Sequence, residues 1–74
     1  MDHPRITQIP GVMGGKPCIK GTRITVEVLI DHLSAGETVA ELLEGYPDIT
    51  EGDVRAALAY AAWCYEQRVV RFCF

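Results

Sequence analysis

Residues 14–26, which read GGKPCIKGTRITV, decide the fold of this 74-residue chain. Two glycines at the start allow backbone angles that other residues rarely adopt, and the proline fixes its own φ and pushes the preceding lysine towards extended geometry. We therefore expect a shaped loop that leads into a tight turn. The residues with a structural role in this motif are Gly14, Gly15, Pro17, Gly21 and Thr22.

The second half of the stretch has the pattern of a short hairpin. Two β-prone pairs, Cys18-Ile19 and Arg23-Ile24, flank Lys20-Gly21-Thr22. A turn of this composition between β-formers predicts a hairpin that positions the cations Lys20 and Arg23.

Three helices are predicted after this turn. Apolar residues recur at helical spacing over residues 26–34, and Thr25 is placed to cap that helix. Thr38 begins a second helix that ends at Gly45, and Thr50 begins a third. In these last two cases an acidic residue follows the capping threonine by three positions, which is the signature of a capping box.

These patterns predict a mainly α fold, a three-helix bundle of the helix-turn-helix, homeodomain-like type preceded by short N-terminal β-strands. We interpret residues 1–74 as one domain. Residues 1–24 form an N-terminal strand and hairpin arm, with alternation over residues 5–9 typical of a strand. Residues 25–66 form the helical core, and residues 67–74 form a C-terminal tail.

From Ile6 to about Ala62 the chain resembles the family called domain of unknown function 433. The resemblance is carried by Gly14-Gly15-Lys16-Pro17, Gly21-Thr22-Arg23-Ile24-Thr25-Val26, Ala35-Gly36, Tyr46-Pro47, Ile49-Thr50, Asp53-Val54 and Ala56-Ala57-Leu58-Ala59-Tyr60-Ala61. It implies a homeodomain-type helix-turn-helix fold that is often dimeric. It also implies an antitoxin whose partner is a nuclease-like toxin with a PIN-type fold.

The distribution of charge indicates where nucleic acid could bind. The net charge is −3, which argues against a protein that wraps DNA by bulk electrostatics. Basic residues outnumber acidic ones in residues 1–23, whereas residues 24–66 are strongly acidic and start the third helix with two acids. The candidate contacts to operator DNA are Arg5, Lys16, Lys20, Arg23 and Arg55.

The third helix carries more apolar surface than one core requires. Besides the expected core stripe, a second apolar line runs along another face. A chain of 74 residues has a modest core, so we expect a homodimer or another protein to cover this line. The alternative is that it completes the intramolecular core under the N-terminal hairpin. The candidate interface residues are Ala56, Tyr60 and Trp63, with Phe72 and Phe74 of the tail.

No pattern of enzyme chemistry is present. The glycines form no phosphate-binding fingerprint, and the threonines have no histidine base nearby in sequence. The three cysteines are widely spaced, which predicts reduced structural thiols and no metal site. His32 is expected to be solvated. We therefore predict no catalytic residues and no cofactor, and a cytoplasmic protein without a membrane partner.

Three functions remain open from the sequence. The first is a dimeric antitoxin that neutralises a PIN-like nuclease and binds operator DNA. The second is a structural or adaptor homodimer with no nucleic-acid role. The third is a free-standing transcriptional regulator.

Overall fold

The structure is a computed structural model that describes residues 3–67, apart from the side chain of Gln67. Its first feature is a two-stranded antiparallel sheet of β1, Ile6–Thr7, and β2, Cys18–Ile19. Ile6 lies opposite Ile19 in this register. β1 therefore pairs within its own chain.

The turn after β2 forms, but its second arm is not a strand. The Ile19 N–H donates to the Ile24 carbonyl at 2.9 Å, and the Thr22 N–H donates to the Ile19 carbonyl at 3.0 Å. Beyond this turn a single β-bridge joins Cys18 to Thr25. The predicted tight turn is therefore present, but its second arm is reduced to this bridge and β2 pairs mainly with β1.

Three α-helices follow, and together with the short sheet they confirm the predicted fold class. They are α1, Val26–Ser34, α2, Val39–Gly45, and α3, Glu51–Gln67. The hydroxyl of Thr25 caps α1 by accepting from the Val28 N–H at 3.1 Å.

Both predicted capping boxes are present. At the start of α2 the Glu41 N–H donates to the Thr38 hydroxyl at 3.2 Å, and the Thr38 N–H donates to the Glu41 carboxylate at 2.9 Å. At the start of α3, Thr50 and Asp53 exchange the same pair of bonds at 3.3 and 3.0 Å. Each box satisfies helix N–H groups that would otherwise lack a partner.

The core lies where the helices meet the inner side of β2. Side chains from every helix take part, and half-buried residues such as Ile6 and Trp63 pack against it. Its buried members are Ile19, Val26, Leu29, Leu42, Ile49, Val54, Ala57, Tyr60 and Cys64.

The cysteines correct one expectation. Cys18 is a free, buried thiol, as predicted. Cys64 is disulfide-bonded, so the prediction of reduced thiols is wrong for this residue.

Candidate functional site

Three of the five candidate DNA-contacting cations are engaged in ion pairs. Arg5 Nη1 lies 3.2 Å from Asp53 Oδ1 and 3.4 Å from the Thr50 hydroxyl, which ties the N-terminal segment to the start of α3. Space there is limited, because a Cβ added at Gly52 would lie 2.6 Å from Arg5 Nη1. Arg5 therefore has a structural partner.

Lys16 is paired with the first turn of α1. Its Nζ lies 2.8 Å from Glu27 Oε2, and this hydrogen bond together with the carboxylate charge raises the pKa of Lys16. An acidic group near a helix N-terminus is favourable in itself, so Glu27 serves both the helix dipole and the lysine. The sequence alone leaves open whether Lys16 meets phosphate or holds the hairpin to helix-terminal carbonyls; in the structure its contact is a carboxylate in the first turn of α1.

Arg55 is exposed and forms an ion pair with Glu51, one turn earlier on α3. An exposed pair of this spacing contributes little to stability and leaves the guanidinium accessible. Arg55 thus points outward from α3, on the face described below.

Lys20 and Arg23 differ from these three. Both are exposed on the turn after β2, and within residues 3–67 neither forms an ion pair. The turn itself is well held, because the Thr22 hydroxyl donates to the Ile19 carbonyl at 2.9 Å and accepts from the Ile24 N–H at 3.0 Å. Gly21 supplies the φ of +80° that the turn needs.

A shallow groove of about 300 Å³ adjoins this turn. Its lining includes Ile9, Val12 and Arg23. Ile9 and Met13 are large apolar side chains that remain exposed on the loop between β1 and β2. Arg23 therefore lies next to an apolar surface.

The predicted second apolar line of α3 is covered by the chain itself. Tyr60 is only 7% exposed, and its hydroxyl donates to the Gln8 side-chain carbonyl at 3.2 Å. The His3 ring packs against both Tyr60 and Trp63, with centroids 5.2 and 5.3 Å apart. Ala56 and Trp63 are half-buried. This arrangement matches the alternative interpretation, in which the line completes the intramolecular core.

A different face of α3 is exposed. Leu58 is 44% exposed and Tyr65 is 76% exposed, and Ala59 and Ala62 lie between them on the same side of the helix. We call this the outer face of α3; its charged members are Glu51, Arg55 and Glu66. The remaining candidate interface residues, Phe72 and Phe74, lie outside the described residues.

The sequence analysis missed one polar cluster at the corner of α1 and α2. His32 is half-buried rather than solvated; its Nδ1 lies 3.1 Å from Glu37 Oε2 and its Nε2 lies 3.1 Å from the Tyr46 hydroxyl. The His32 and Tyr46 rings also meet edge to face at 5.5 Å. With Nδ1–H donated to Glu37, the imidazole accepts from Tyr46 and joins the end of α1 to the end of α2. The only signal in the sequence was the presence of these residue types near helix ends.

Two further observations bear on function. Within residues 3–67, His, Cys, Asp and Glu side chains form no cluster of three suited to a metal ion. In the same part of the chain, every helix is too short or too polar to cross a bilayer.

Comparison with known proteins shows that the chain is similar to members of one protein family. The family described as "Protein of unknown function (DUF433)" matches residues 6–61. The chain is similar to a DUF433 member protein from Anabaena variabilis, whose crystal structure superposes with a TM-score of 0.80 at 38% identity over 90% of this chain and 68% of that one. It is also 34% identical, over 76% of its length, to the uncharacterized protein y4eO of Sinorhizobium fredii. The chain spans about a quarter of the length of that relative. It therefore belongs to the DUF433 family.

Proposed function

We propose that this protein is a non-catalytic binding module of the cytoplasm that acts as the antitoxin of a type II toxin–antitoxin pair. In this proposal it contacts operator DNA through Lys20 and Arg23 and neutralises a PIN-like nuclease. The observation that carries the DNA contact is the exposure of these two cations on one rigid turn, whereas Arg5, Lys16 and Arg55 are each matched by a carboxylate.

Unpaired cations are the groups that gain most from a phosphate backbone. An ion-paired lysine or arginine must give up its carboxylate before it binds phosphate, but a free one only releases counterions from the DNA. Lys20 and Arg23 flank a turn closed by the Thr22 hydroxyl, so little backbone conformational entropy is lost when they bind. The acidic N-terminal turn of α3 is unsuited to the DNA surface, which favours this turn over α3 as the contact.

The toxin contact is assigned to the C-terminal tail, where the sequence places Phe72 and Phe74 beside Arg68 and Arg71. Apolar side chains interleaved with arginines are typical of segments that bind an acidic protein surface. A nuclease-type partner rich in Asp and Glu would carry the complementary charge. The family resemblance supports this class of partner.

Two measurements test the proposal. The first is binding of the full chain to the DNA upstream of its own gene, which we expect to weaken at least about tenfold in the Lys20→Ala/Arg23→Ala variant. The second is co-expression with the product of an adjacent nuclease-like gene, where the wild-type chain restores growth and the Phe72→Ser/Phe74→Ser variant does not. Absence of both DNA binding and toxin neutralisation would overturn the proposal.

The exposed outer face of α3 favours a second candidate, a structural or adaptor homodimer with no nucleic-acid role. The DNA measurement separates the two functions, since an adaptor would show no salt-dependent binding. Specific DNA binding without any toxin partner would instead support a free-standing regulator.

A further inference from the structure

We propose that the outer face of α3 is the contact between two copies of this chain, which pair through antiparallel α3 helices about a two-fold axis. Two large apolar side chains on this face are exposed to solvent. The 76% exposure of Tyr65 and the 44% exposure of Leu58 are unusual for large apolar side chains on a helix whose other faces are buried or half-buried.

The exposed residues of α3 share one narrow face. Exposed positions recur with helical spacing from residue 55 to residue 66, so they follow a single line along the helix. In order they are Arg55, Leu58, Ala59, Ala62, Tyr65 and Glu66. The line is apolar in the middle and charged at both ends, which is the layout of an interface with a hydrophobic centre and a polar rim.

The charges at the two ends of the outer face favour a second copy of the chain, with its α3 running in the opposite direction. Arg55 lies at one end of the face and Glu66 at the other. In an antiparallel pair, Arg55 of each copy faces Glu66 of the other, whereas a parallel pair would set Arg55 against Arg55. The guanidinium has five N–H donors, so Arg55 can keep its bond to Glu51 while it binds Glu66 of the second copy.

The alanines of the outer face, Ala59 and Ala62, fit the same antiparallel register as the charges. The midpoint between Arg55 and Glu66 along the helix coincides with the midpoint between Ala59 and Ala62. The register that pairs the charges therefore sets Ala59 of one copy against Ala62 of the other, where two methyl groups allow the helices to approach closely. Leu58 and Tyr65 flank this centre. A two-fold arrangement repeats every contact and closes the assembly at two copies.

This inference moves the expected dimer contact away from half-buried Ala56 and from Tyr60 and Trp63, against which the N-terminal segment packs. It does not depend on the proposed antitoxin function, because it concerns the chain alone. If the chain bound neither DNA nor toxin, the proposed dimer contact would be unaffected. If the chain were monomeric, the proposed DNA contact through Lys20 and Arg23 would be unaffected.

Charge reversal on the full chain tests the register. Arg55→Glu sets two carboxylates against each other at each end of the interface, and Glu66→Arg sets two guanidinium groups against each other there. We therefore expect each single variant to associate at least about tenfold more weakly than the wild type. Mixed in equal amounts, the two variants form a mixed dimer in which the carboxylates of Arg55→Glu face the guanidinium groups of Glu66→Arg at both ends, so mixing should restore association. The double variant Arg55→Glu/Glu66→Arg restores opposite charges at both ends and dimerises with itself.

The readout is sedimentation equilibrium, with native mass spectrometry to identify any mixed dimer. Circular dichroism confirms that each exposed-site variant is folded, and Glu44→Lys, a charge reversal at an exposed position of α2, leaves the association constant unchanged. Ala59→Arg blocks the centre of the face and gives a folded monomer. A wild-type chain that is monomeric throughout, single variants that associate like the wild type, or a double variant that stays monomeric would overturn the inference.

Discussion

The ring of His3 meets the ring of Tyr60 edge to face, with centroids 5.2 Å apart and planes at 86°. Trp63 closes the other side of the same imidazole at 5.3 Å. This small aromatic cluster joins the N-terminal segment to the middle of α3. It explains why the second apolar line of α3 is not available as an open protein-binding surface.

The cluster has one unfavourable feature that predicts the effect of substitution. His3 Nε2 is buried and has no hydrogen-bond partner among residues 3–67. His3→Phe keeps an aromatic ring and removes the unpaired nitrogen, so we expect the free energy of unfolding to rise by about 1 kcal/mol. His3→Ala loses the ring contacts and should lower it by a similar amount. Urea denaturation measures both, and an equal loss in the two variants would contradict this account.

The Thr22 hydroxyl should be needed for the turn that carries Lys20 and Arg23. It holds two hydrogen bonds across that turn, to Ile19 and Ile24. Thr22→Ala leaves the Ile24 N–H without its partner and the Ile19 carbonyl with only the Thr22 backbone N–H, so we expect the free energy of unfolding to fall by about 1–2 kcal/mol. Thr22→Ser retains the hydroxyl and is the matched control. If serine destabilises the protein as much as alanine, then the methyl packing and not the hydroxyl matters.

Cys18 is expected to resist alkylation in the folded protein. Burial raises the pKa of the Cys18 thiol, and the reactive species is the thiolate. Mass spectrometry after treatment with iodoacetamide should find Cys18 unmodified until denaturant is added. A thiol introduced at an exposed position by Ser34→Cys provides the reactive control. Equal rates at the two positions would show that the β2 region opens readily.

The Glu41 capping box should make stability depend on pH. Hydrogen bonds from the Thr38 backbone N–H and hydroxyl lower the pKa of the Glu41 carboxyl. A carboxyl with a lower pKa in the folded state stabilises the fold above its unfolded pKa, and this contribution disappears as the pH falls through the folded pKa. Glu41→Gln should therefore be less stable than wild type at neutral pH, and the difference should shrink in acid.

The control for this pH dependence is Glu44→Gln on the same helix, since Glu44 is exposed and forms no hydrogen bond to another described side chain. Its stability difference from wild type should stay small at every pH. A Glu41→Gln difference that persists unchanged in acid would mean that the carboxylate charge is not what stabilises the cap.

The helix starts were predictable from sequence because a cap is a local interaction. Thr25, Thr38 and Thr50 each bond to a group three residues away, so their role depends only on neighbouring residues. The length of α1 was predictable for the same reason, as its apolar spacing and the following glycine lie in one short segment.

The contacts that shape the candidate site could not be predicted in this way. Pairing of Ile6 with Ile19, and packing of His3 on Tyr60, join segments far apart in the chain. The second apolar line of α3 is visible in the sequence, but what covers it depends on the path of the N-terminal segment. Likewise, the sequence around His32 is typical of a solvated residue, because its partner Tyr46 lies in the next connection.

The salt dependence of DNA binding tests the central claim most directly. For wild type, the logarithm of the association constant with upstream DNA should fall linearly with the logarithm of salt concentration. The Lys20→Ala/Arg23→Ala variant should bind more weakly, with a slope reduced by about 0.9 for each phosphate that it no longer neutralises. The charge-preserving variant Lys20→Arg/Arg23→Lys should keep the wild-type slope. An unchanged slope in the alanine variant, or no binding by the wild-type chain, would contradict the account.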